Sequence, residues 1–582
     1  MAFKSFNTHM YSSVKQKFPA IKKDLSGQGR VLRFGIICNG KTLEKWQAEC
    51  VQNILALGFT QLQLLIIDDG SWAEERSLKN TPMQKWLYFF YRKTWFLRAP
   101  RRHVKMKKLF CGVETIQPRI VMKGKFSQYF DRGALGKIRA AKLDFILRFG
   151  FNIIRGKILE SARFGVWSFH HDDEMKYRGS PAGFWEIFHD DPIQGGILQR
   201  ITDRLDGGIV LKRGYLNTIR HSYIRNLKAI YNESATWPAQ VCRDIFLEQA
   251  DYFKSEATKT AAKIYYPPQN MEMLSFWLKI VWRRLTYRFN KLFKKDKWNI
   301  GVVNAPIEKF LEKDFSPRVA WVKPEIDGKF LADPFPIMPS HPQAIPTKND
   351  NKNRYIVLFE YFDYKKGRAN IACAELYDDM LSSKVDNIHN AISTESHLSY
   401  PYTFACGSEI YCIPETYQNN EVALYRAVEL PDRWEKIATL IKDFAGVDAT
   451  IFHYRENWWI LVTDRFWGSK YNLFLFYSRD LFGPYKPHPQ NPVKTDIRCS
   501  RPAGTPFFFQ NQLYRPVQDC SITYGGKLAI NRIIEITEKI FSEELVKDFF
   551  PVPPFNDGLH TLVGWGEKTL VDGKYSCFKW NL

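Results

Sequence analysis

Gly165-Val-Trp-Ser-Phe-His-His-Asp-Asp-Glu-Met-Lys-Tyr-Arg-Gly179, followed by Leu205-Asp-Gly-Gly208, decides how the first half of this chain is read. It opens as a short apolar run and continues as an acidic segment. That is the pattern of a buried strand delivering polar side chains to the loop at its carboxyl end. The pattern recurs on either side. Val31-Leu-Arg-Phe-Gly-Ile-Ile-Cys38 reads as a first buried strand ending in Asn39-Gly40, Thr42 to Leu57 as an amphipathic helix, and Leu62-Gln-Leu-Leu-Ile-Ile67 as a second strand. Leu143 to Leu147 precedes Gly150, Ile153-Ile154 and Gly156 as another strand and its loop. Such alternation predicts a mostly parallel sheet with helices on both faces. Ligands bind beyond the carboxyl ends of such strands, where Ser168 and His170 fall. Tyr177 to Trp185 reads as the start of a helix beside them.

The same residues resemble the signature of the formyltransferase fold, used on methionyl-tRNA and on nucleotide-linked amino sugars. In that family a strand ends in Asn-x-His, a loop runs to Arg-Gly, and Leu-Asp-x-Gly follows. His170 takes the His position, Arg178-Gly179 the Arg-Gly, and Asp206 the Asp, 36 residues beyond His170, which is the family's spacing. The resemblance is specific over about 143–214. It implies an α/β, Rossmann-type domain over 31–265, with His170 as base or electrostatic group, Asp206 orienting it, and Ser168 as oxyanion donor. If formyl chemistry is retained, it implies formyltetrahydrofolate as the donor.

Two departures weigh against that chemistry. Ser168 stands where the family has Asn, and losing one oxyanion donor costs about 100- to 1,000-fold in rate. Asp172-Asp173-Glu174-Met175 stands where the family places Ser-Leu-Leu-Pro near the folate. A folate with a glutamate tail gains nothing from three extra carboxylates. This points to a different donor, a nucleotide sugar if the fold serves a glycosyltransferase. His171, Asp172, Asp173 and Arg178 are candidates for binding substrate. Imidazole and carboxylate also suit a divalent metal, but alternate residues of an extended segment point apart, so no metal site is assigned.

The chain has 582 residues, too many for one hydrophobic core, so two or three domains are expected. No apolar run reaches the roughly 18–20 residues of a membrane span, and 1–30 reads as a basic tail without a signal-peptide core. Ten scattered cysteines without a C-x-x-C pair indicate neither a zinc ribbon nor a disulfide framework. A reducing cytoplasm fits them.

Net charge is +23 and unevenly spread. Lys85 to Lys108 carries nine Lys or Arg and no acid, interleaved with aromatic residues. Leu274 to Lys297 carries eight and one acid, with Leu274, Leu278, Val281 or Trp282, Leu285, Phe289 and Leu292 at helical spacing. Basic amphipathic helices of this kind lie on anionic membranes, so 266–300 is expected to connect the domains and to bind the cytoplasmic face of a membrane peripherally. The rival readings are a helix packed on its own protein and a single-stranded nucleic-acid surface. Nucleic acid is not expected.

After Trp298 short aromatic strands recur behind turn residues. Asn353 to Glu360, Gly407 to Glu415, Glu456 to Asp464, Gln510 to Asp519 and Asp572 to Tyr575 place aromatic residues at 355, 411, 459, 514 and 575. A period near 50 with several strands per unit predicts a five-bladed β-propeller over 301–582, with His341 to Asn353 as a loop in its first blade. Glu360, Glu415, Asp464 and Asp519 follow the first four aromatic positions and are expected along one rim. Leu331-Ala-Asp-Pro-Phe335 and Val447-Asp-Ala-Thr450 resemble the carboxylate strands of arabinanase- and invertase-type propellers, which pair carboxylates on glycosidic bonds. This makes Asp333, Glu415, Asp448, Arg501, Arg515 and Asp519 candidates for binding a glycan, with His397 and Tyr400 nearby. As pocket groups, Asp333 and Asp448 are expected to tolerate amide replacement.

The segment from about 299 to 580 is also similar to the N-terminal domain of plant glucosamine inositolphosphorylceramide transferases. His397-Leu-Ser-Tyr-Pro401, Ile413-Pro-Glu415, Tyr425-Arg-Ala427, Arg501-Pro-Ala-Gly504, Tyr514 to Asp519 and Gly558-Leu-His-Thr561 carry that resemblance. It implies a glycan or lipid-linked sugar acceptor. The expectation is a transferase of cell-surface glycan, with formyl transfer to an amino sugar, glycosyl transfer, or a non-catalytic glycan-binding scaffold as its forms.

Overall fold

Seven strands build one sheet in the first half: Leu32–Cys38 (β1), Thr60–Ile67 (β2), Glu114–Ile116 (β3), Phe145–Arg148 (β4), Val166–His170 (β5), Ile193–Arg200 (β6) and Ile209–Asn217 (β7). The computed structural model describes residues 31–68, 82–94, 103–106, 109–124, 127–204, 207–322, 328–337, 354–377 and 386–579. The basic tail 1–30, Asp206, part of Lys85–Lys108 and the loop His341–Asn353 lie outside them. The chain divides into two units, 1–285 and 286–582.

The sheet order is β7-β6-β5-β4-β1-β2-β3. β3, β2, β1, β4 and β5 run parallel, and β6 and β7 antiparallel. The chain reverses direction of travel across the sheet at β1, so the ends of β1 and β4 open the crevice where such sheets bind ligands. Central strands are buried on both sides: Phe34, Phe145 and Trp167 stack at 5.2 and 3.9 Å, while Ile37, Leu64, Ile66, Ile146 and Val166 pack on the other face with Ile138 and Ile158.

The helix expected at 42–57 runs Lys45–Leu55. It starts later because Glu44 and Gln47 form a reciprocal capping box and Thr42–Glu44 is a strand. The helix expected from Tyr177 is confined to Trp185–Phe188. Arg178–Gly179 pairs instead with Ile264–Tyr265, and Gly179 and Gly183 adopt φ of +97° and +65°, outside the helical region.

The second unit consists of antiparallel sheets that follow one another along the chain. Sheet one is built from Lys329–Pro336, Arg354–Asp363, Arg368–Tyr377 and Asp386–Ile392, and sheet two from Ser399–Cys406, Glu409–Glu415, Glu421–Glu429 and Arg433–Lys442. Sheet three starts at Gly446–Tyr454 and Asn457–Asp464, and sheet four at Arg501–Pro502 and Gln512–Asp519. In sheet five the unit's two ends meet: Lys294–Val303 pairs with Lys568–Phe578, Val319–Trp321 lies outside the first and Leu562–Trp565 inside the second. The expectation of an α/β domain followed by antiparallel sheets therefore stands. The recurring aromatic positions all fall on the second strand of their sheets, those next to the innermost.

Candidate functional site

Two places gather polar side chains, one in each unit. In the first, β5 carries Ser168 and His170 to its carboxyl end, beside Arg148 from the end of β4. They line a cavity of about 180 Å³ with Arg155, Gln199, Thr202, Asp203 and Arg204. Arg148 Nη1 donates to Ser168 Oγ at 2.9 Å. His170 Nε2 lies 3.0 Å from the Tyr177 carbonyl, which can only accept. Nε2 therefore bears the proton, and in the neutral ring Nδ1 holds the lone pair.

The acidic loop does not converge on this cavity. His171 Nε2 bonds Ser234 Oγ at 3.0 Å, and its ring lies edge-on to Trp46. Asp172 accepts the Gly183 N–H at 2.6 Å. Asp173 accepts the Met175 N–H at 3.0 Å, and Glu174 pairs with Arg213. Arg178 donates to the Ala262 carbonyl at 3.3 Å. A Cβ on Gly195 would sit 2.9 Å from the Asp173 nitrogen, so the bare glycine lets this loop lie against β6. These residues form a buried scaffold for the loop. Within it burial pushes the Asp172 carboxyl up to about 6, with His170 pulling the other way. Burial and Asp172 hold Glu186 well above the carboxylate range. Neither Glu186 oxygen meets a hydrogen-bond partner.

The second gathering lies where the five sheets' inner strands meet. In sheets one, two and three the innermost strand carries the same irregularity: its register jumps at Ala332/Phe335, Ser399/Tyr402 and Val447/Thr450. At each jump a non-glycine residue takes positive φ, Asp333 at +51°, Tyr400 at +45° and Asp448 at +51°. Each such conformation costs about 1–3 kcal/mol and persists only when its surroundings over-determine it.

The surroundings are a hydrogen-bonded circuit through all five sheets. Asp333 Oδ2 accepts the Tyr400 N–H at 3.2 Å, and the Tyr400 hydroxyl lies 3.0 Å from Thr450 Oγ1. Arg501 grips Asp448 with Nε at 2.5 Å and Nη2 at 3.1 Å, and Nη2 reaches the Tyr524 hydroxyl at 3.2 Å. Lys574 donates to the Tyr524 carbonyl, and Thr561 Oγ1 returns to Asp333 Oδ1 at 2.8 Å. His560 Nδ1 lies 2.5 Å from Asp572 and 3.5 Å from Asp333.

Glu360 and Glu415 join this centre from the second strands, opposite Ala332 and Ser399. Burial, then repulsion from Asp333, Glu415, Asp572 and Asp448, holds Glu360 well above its ordinary range. Burial and Asp448 push Glu415 up to about 8, against the pull of Arg501. Burial lifts Asp333 to about 6, with His560 opposing. Burial lowers His560, but Asp572 and Asp333 outweigh it and raise its pKa. His397, 3.8 Å from Glu360, is brought down to about 4 by burial and Arg465 and stays neutral.

Three expected members stand apart. Arg515 forms a buried two-point pair with Glu543 at 2.6 and 2.7 Å and also holds the Cys499 carbonyl. Asp519 accepts the Ser521 N–H at 2.8 Å, and Asp464 accepts those of Phe466 and Trp467, so both cap turns. The reason is register. Thr463 and Gln518 are the residues opposite Val447 and Arg501, and one residue further along a strand points the other way. Gln518 donates to Asp448 at 2.8 Å. The expectation that Asp333 and Asp448 are exposed pocket groups is likewise corrected, since both are buried and paired. Gln518, Tyr524, His560, Asp572 and Lys574 were missed as site residues, although the segments Tyr514 to Asp519, Gly558 to Thr561 and Asp572 to Tyr575 contain all but Tyr524. A larger cavity, about 470 Å³, lies at Arg455, Gln512 and Arg532 and is lined by none of the central carboxyls.

Two clusters have metal-compatible spacing. In Asp333–His560–Asp572 the imidazole lies between two carboxylates that raise its pKa, so a metal there would have to displace that proton. In Cys373–His389–Asp432 burial and Asp432 raise the thiol to about 12, so metal binding there would have to release that proton.

Residues 337–553 match the family described as Glucosamine inositolphosphorylceramide transferase 1, N-terminal. That stretch includes Glu360, Glu415, Asp448 and Arg501. Glucosamine inositolphosphorylceramide transferase 1 of Arabidopsis thaliana is 34% identical over 226 residues, covering 38% of this chain and 27% of that protein. The chain spans 21–27% of the length of the curated relatives it matches. Glycinamide ribonucleotide transformylase 1 from Symbiobacterium toebii has a TM-score of 0.26 at 13% identity, covering 38% of this chain and 90% of its own. An exo-beta-1,3-galactanase from Clostridium thermocellum has a TM-score of 0.29 at 10% identity, covering 38% of this chain and 50% of its own. Likeness at those scores carries no argument.

Proposed function

We propose that this chain is a transferase of glycolipid or cell-surface glycan assembly. The five sheets form a five-bladed β-propeller that binds sugar at its carboxyl centre, and the cavity at the end of β5 holds the donor. The observation that carries this reading is the convergence of Asp333, Glu360, Glu415, Asp448 and Asp572, with Glu360 and Glu415 held as neutral acids beside carboxylates. Neutral acids donate to sugar hydroxyls and carboxylates accept from them. Carboxyls whose environments separate their protonation are suited to general-acid work on a leaving oxygen. By analogy with the relatives' names, the acceptor we propose is an inositolphosphorylceramide-type glycolipid. Formyl transfer is not part of the proposal, because the hydroxyl at the position of the family's amide is already engaged by Arg148.

We also propose attachment to an anionic membrane through the helix Asn270–Phe293. Met273 and Phe276 are buried, Lys279 and Arg283 reach Asp190, and Leu278, Val281, Trp282, Leu285 and Leu292 are each more than half exposed. Arg284, Arg288 and Lys291 flank that apolar stripe. Among the described residues no helix is long and apolar enough to cross a membrane. We place this attachment on the cytoplasmic face, because the ten scattered cysteines suit a reducing compartment.

Purified chain should transfer sugar from a nucleotide donor to inositolphosphorylceramide in detergent, read by mass spectrometry. Glu360→Gln should abolish this with no loss of melting temperature, since the amide resembles the neutral acid. Full turnover by that variant would remove the centre from the chemistry. The mutual satisfaction of Asp448 and Arg501 favours a second reading, a glycan-binding scaffold. Wild-type chain that binds glycan yet turns over no donor would establish it.

A further inference from the structure

We infer that the cavity beside Ser168 and His170 is a phosphate subsite anchored by Arg148. The inference deepens the donor half of the proposed function. Its test reads binding without turnover, so the two fail separately.

Arg148 is a cation with no carboxylate among its partners. Its hydrogen bonds go to neutral oxygens, Ser168 Oγ at 2.9 Å and the carbonyls of Phe151 and Asn152 at 3.1 and 2.5 Å. Its Nε is sealed from solvent and has no acceptor. Burial alone draws its pKa down to about 10. Desolvating a cation without a counter-charge is costly, so an anion entering the adjoining cavity would supply the charge that Arg148 lacks.

The rest of the lining agrees. Arg155 gives Nε to Ser127 Oγ at 3.2 Å and Nη1 to the Asp203 carbonyl, again neutral oxygens. Arg204 is a third cation on the wall. Among the described residues of the lining Asp203 is the one carboxylate, and its Oδ1 accepts the Gly156 N–H at 2.9 Å. Among the described residues three guanidinium groups stand against that one carboxylate, a positive excess that suits a phosphate. At about 180 Å³, the space is smaller than the roughly 300–1,000 Å³ that encloses a whole small ligand. It therefore receives one charged group while the remainder of the molecule lies outside.

The phosphate could belong to a nucleoside diphosphate sugar or to an inositol phosphate headgroup. Isothermal titration of the full chain with inorganic pyrophosphate, UDP and glycerophosphoinositol tests the subsite and separates the sources. Pyrophosphate is expected to bind and to weaken with added salt. Tighter binding by UDP assigns the subsite to the sugar donor, and tighter binding by glycerophosphoinositol to the lipid. Arg148→Gln should weaken each about ten- to hundredfold, the worth of one charge-assisted contact. Arg148→Lys retains the charge, guards against misfolding of the neutral variant, and should fall between. Failure of all three probes to bind wild-type chain at millimolar concentration would overturn the inference, as would unaltered binding in both variants.

Discussion

Glu415→Gln isolates the energetics of the sheet centre in one measurement. In the folded chain burial and Asp448 raise this carboxyl from 4.5 to about 8. The native state therefore binds the proton more tightly than the unfolded chain does. The two states carry the same proton below pH about 4.5, so the full stability contribution is present there. As pH rises toward about 8 the unfolded chain releases the proton while the native chain retains it, and stability falls by about 1.4 kcal/mol per pH unit. Over the whole window the ceiling is about 5 kcal/mol. Glutamine matches the shape of the protonated acid and cannot ionise, so the variant lacks this slope. Urea unfolding followed by hydrogen exchange and mass spectrometry of peptides from Ser399–Asp464 reports the second unit alone. At pH 5 variant and wild type should be nearly equally stable, and by pH 8 the variant should be ahead by several kcal/mol. A stability difference that stays constant between pH 5 and 8 would show that Glu415 ionises normally, and the acid–carboxylate arrangement would be refuted.

Arg515→Ala should destabilise the second unit by about 3–5 kcal/mol, because it leaves Glu543 buried with Lys494 as its remaining cation; calorimetry showing a loss under 1 kcal/mol would contradict the buried pair. Replacing Arg284, Arg288 and Lys291 together by Glu should release the chain from phosphatidylserine vesicles in sedimentation, each lost cation weakening attachment by about 1 kcal/mol. Arg283 is left in place because Asp190 holds it; vesicle binding unaffected by the triple change would assign the membrane contact to another surface.

Much of the architecture was legible because it is written locally. Continuous apolar runs marked β1, β2, β4 and β5, and the aromatic spacing found the second strand of all five sheets. Punctuation was read less well. The turn glycines Gly179 and Gly183 erased most of the helix expected from Tyr177, their positive φ being a choice of the folded loop. Ser168 and His170 were placed at a strand end from sequence, and the cavity contains both. The acidic loop drew attention as a ligand set, yet its side chains turn inward to hold the loop itself.

The sequence by itself therefore determined the type and order of the elements, since hydrophobic period and turn residues act over a few positions. Only the tertiary structure decided which side chains meet. Arg148 reaches Ser168 across adjacent parallel strands, and Thr561 reaches Asp333 across 228 residues of chain. The choice of Gln518 over Asp519, and of Glu415 but not Asp464, rests on strand register. A single-residue slip reverses a side chain's face, and register is fixed by partners distant in sequence. The protonation of Glu360 and Glu415 belongs to the same level, because burial and neighbouring charge exist only once the sheets have come together.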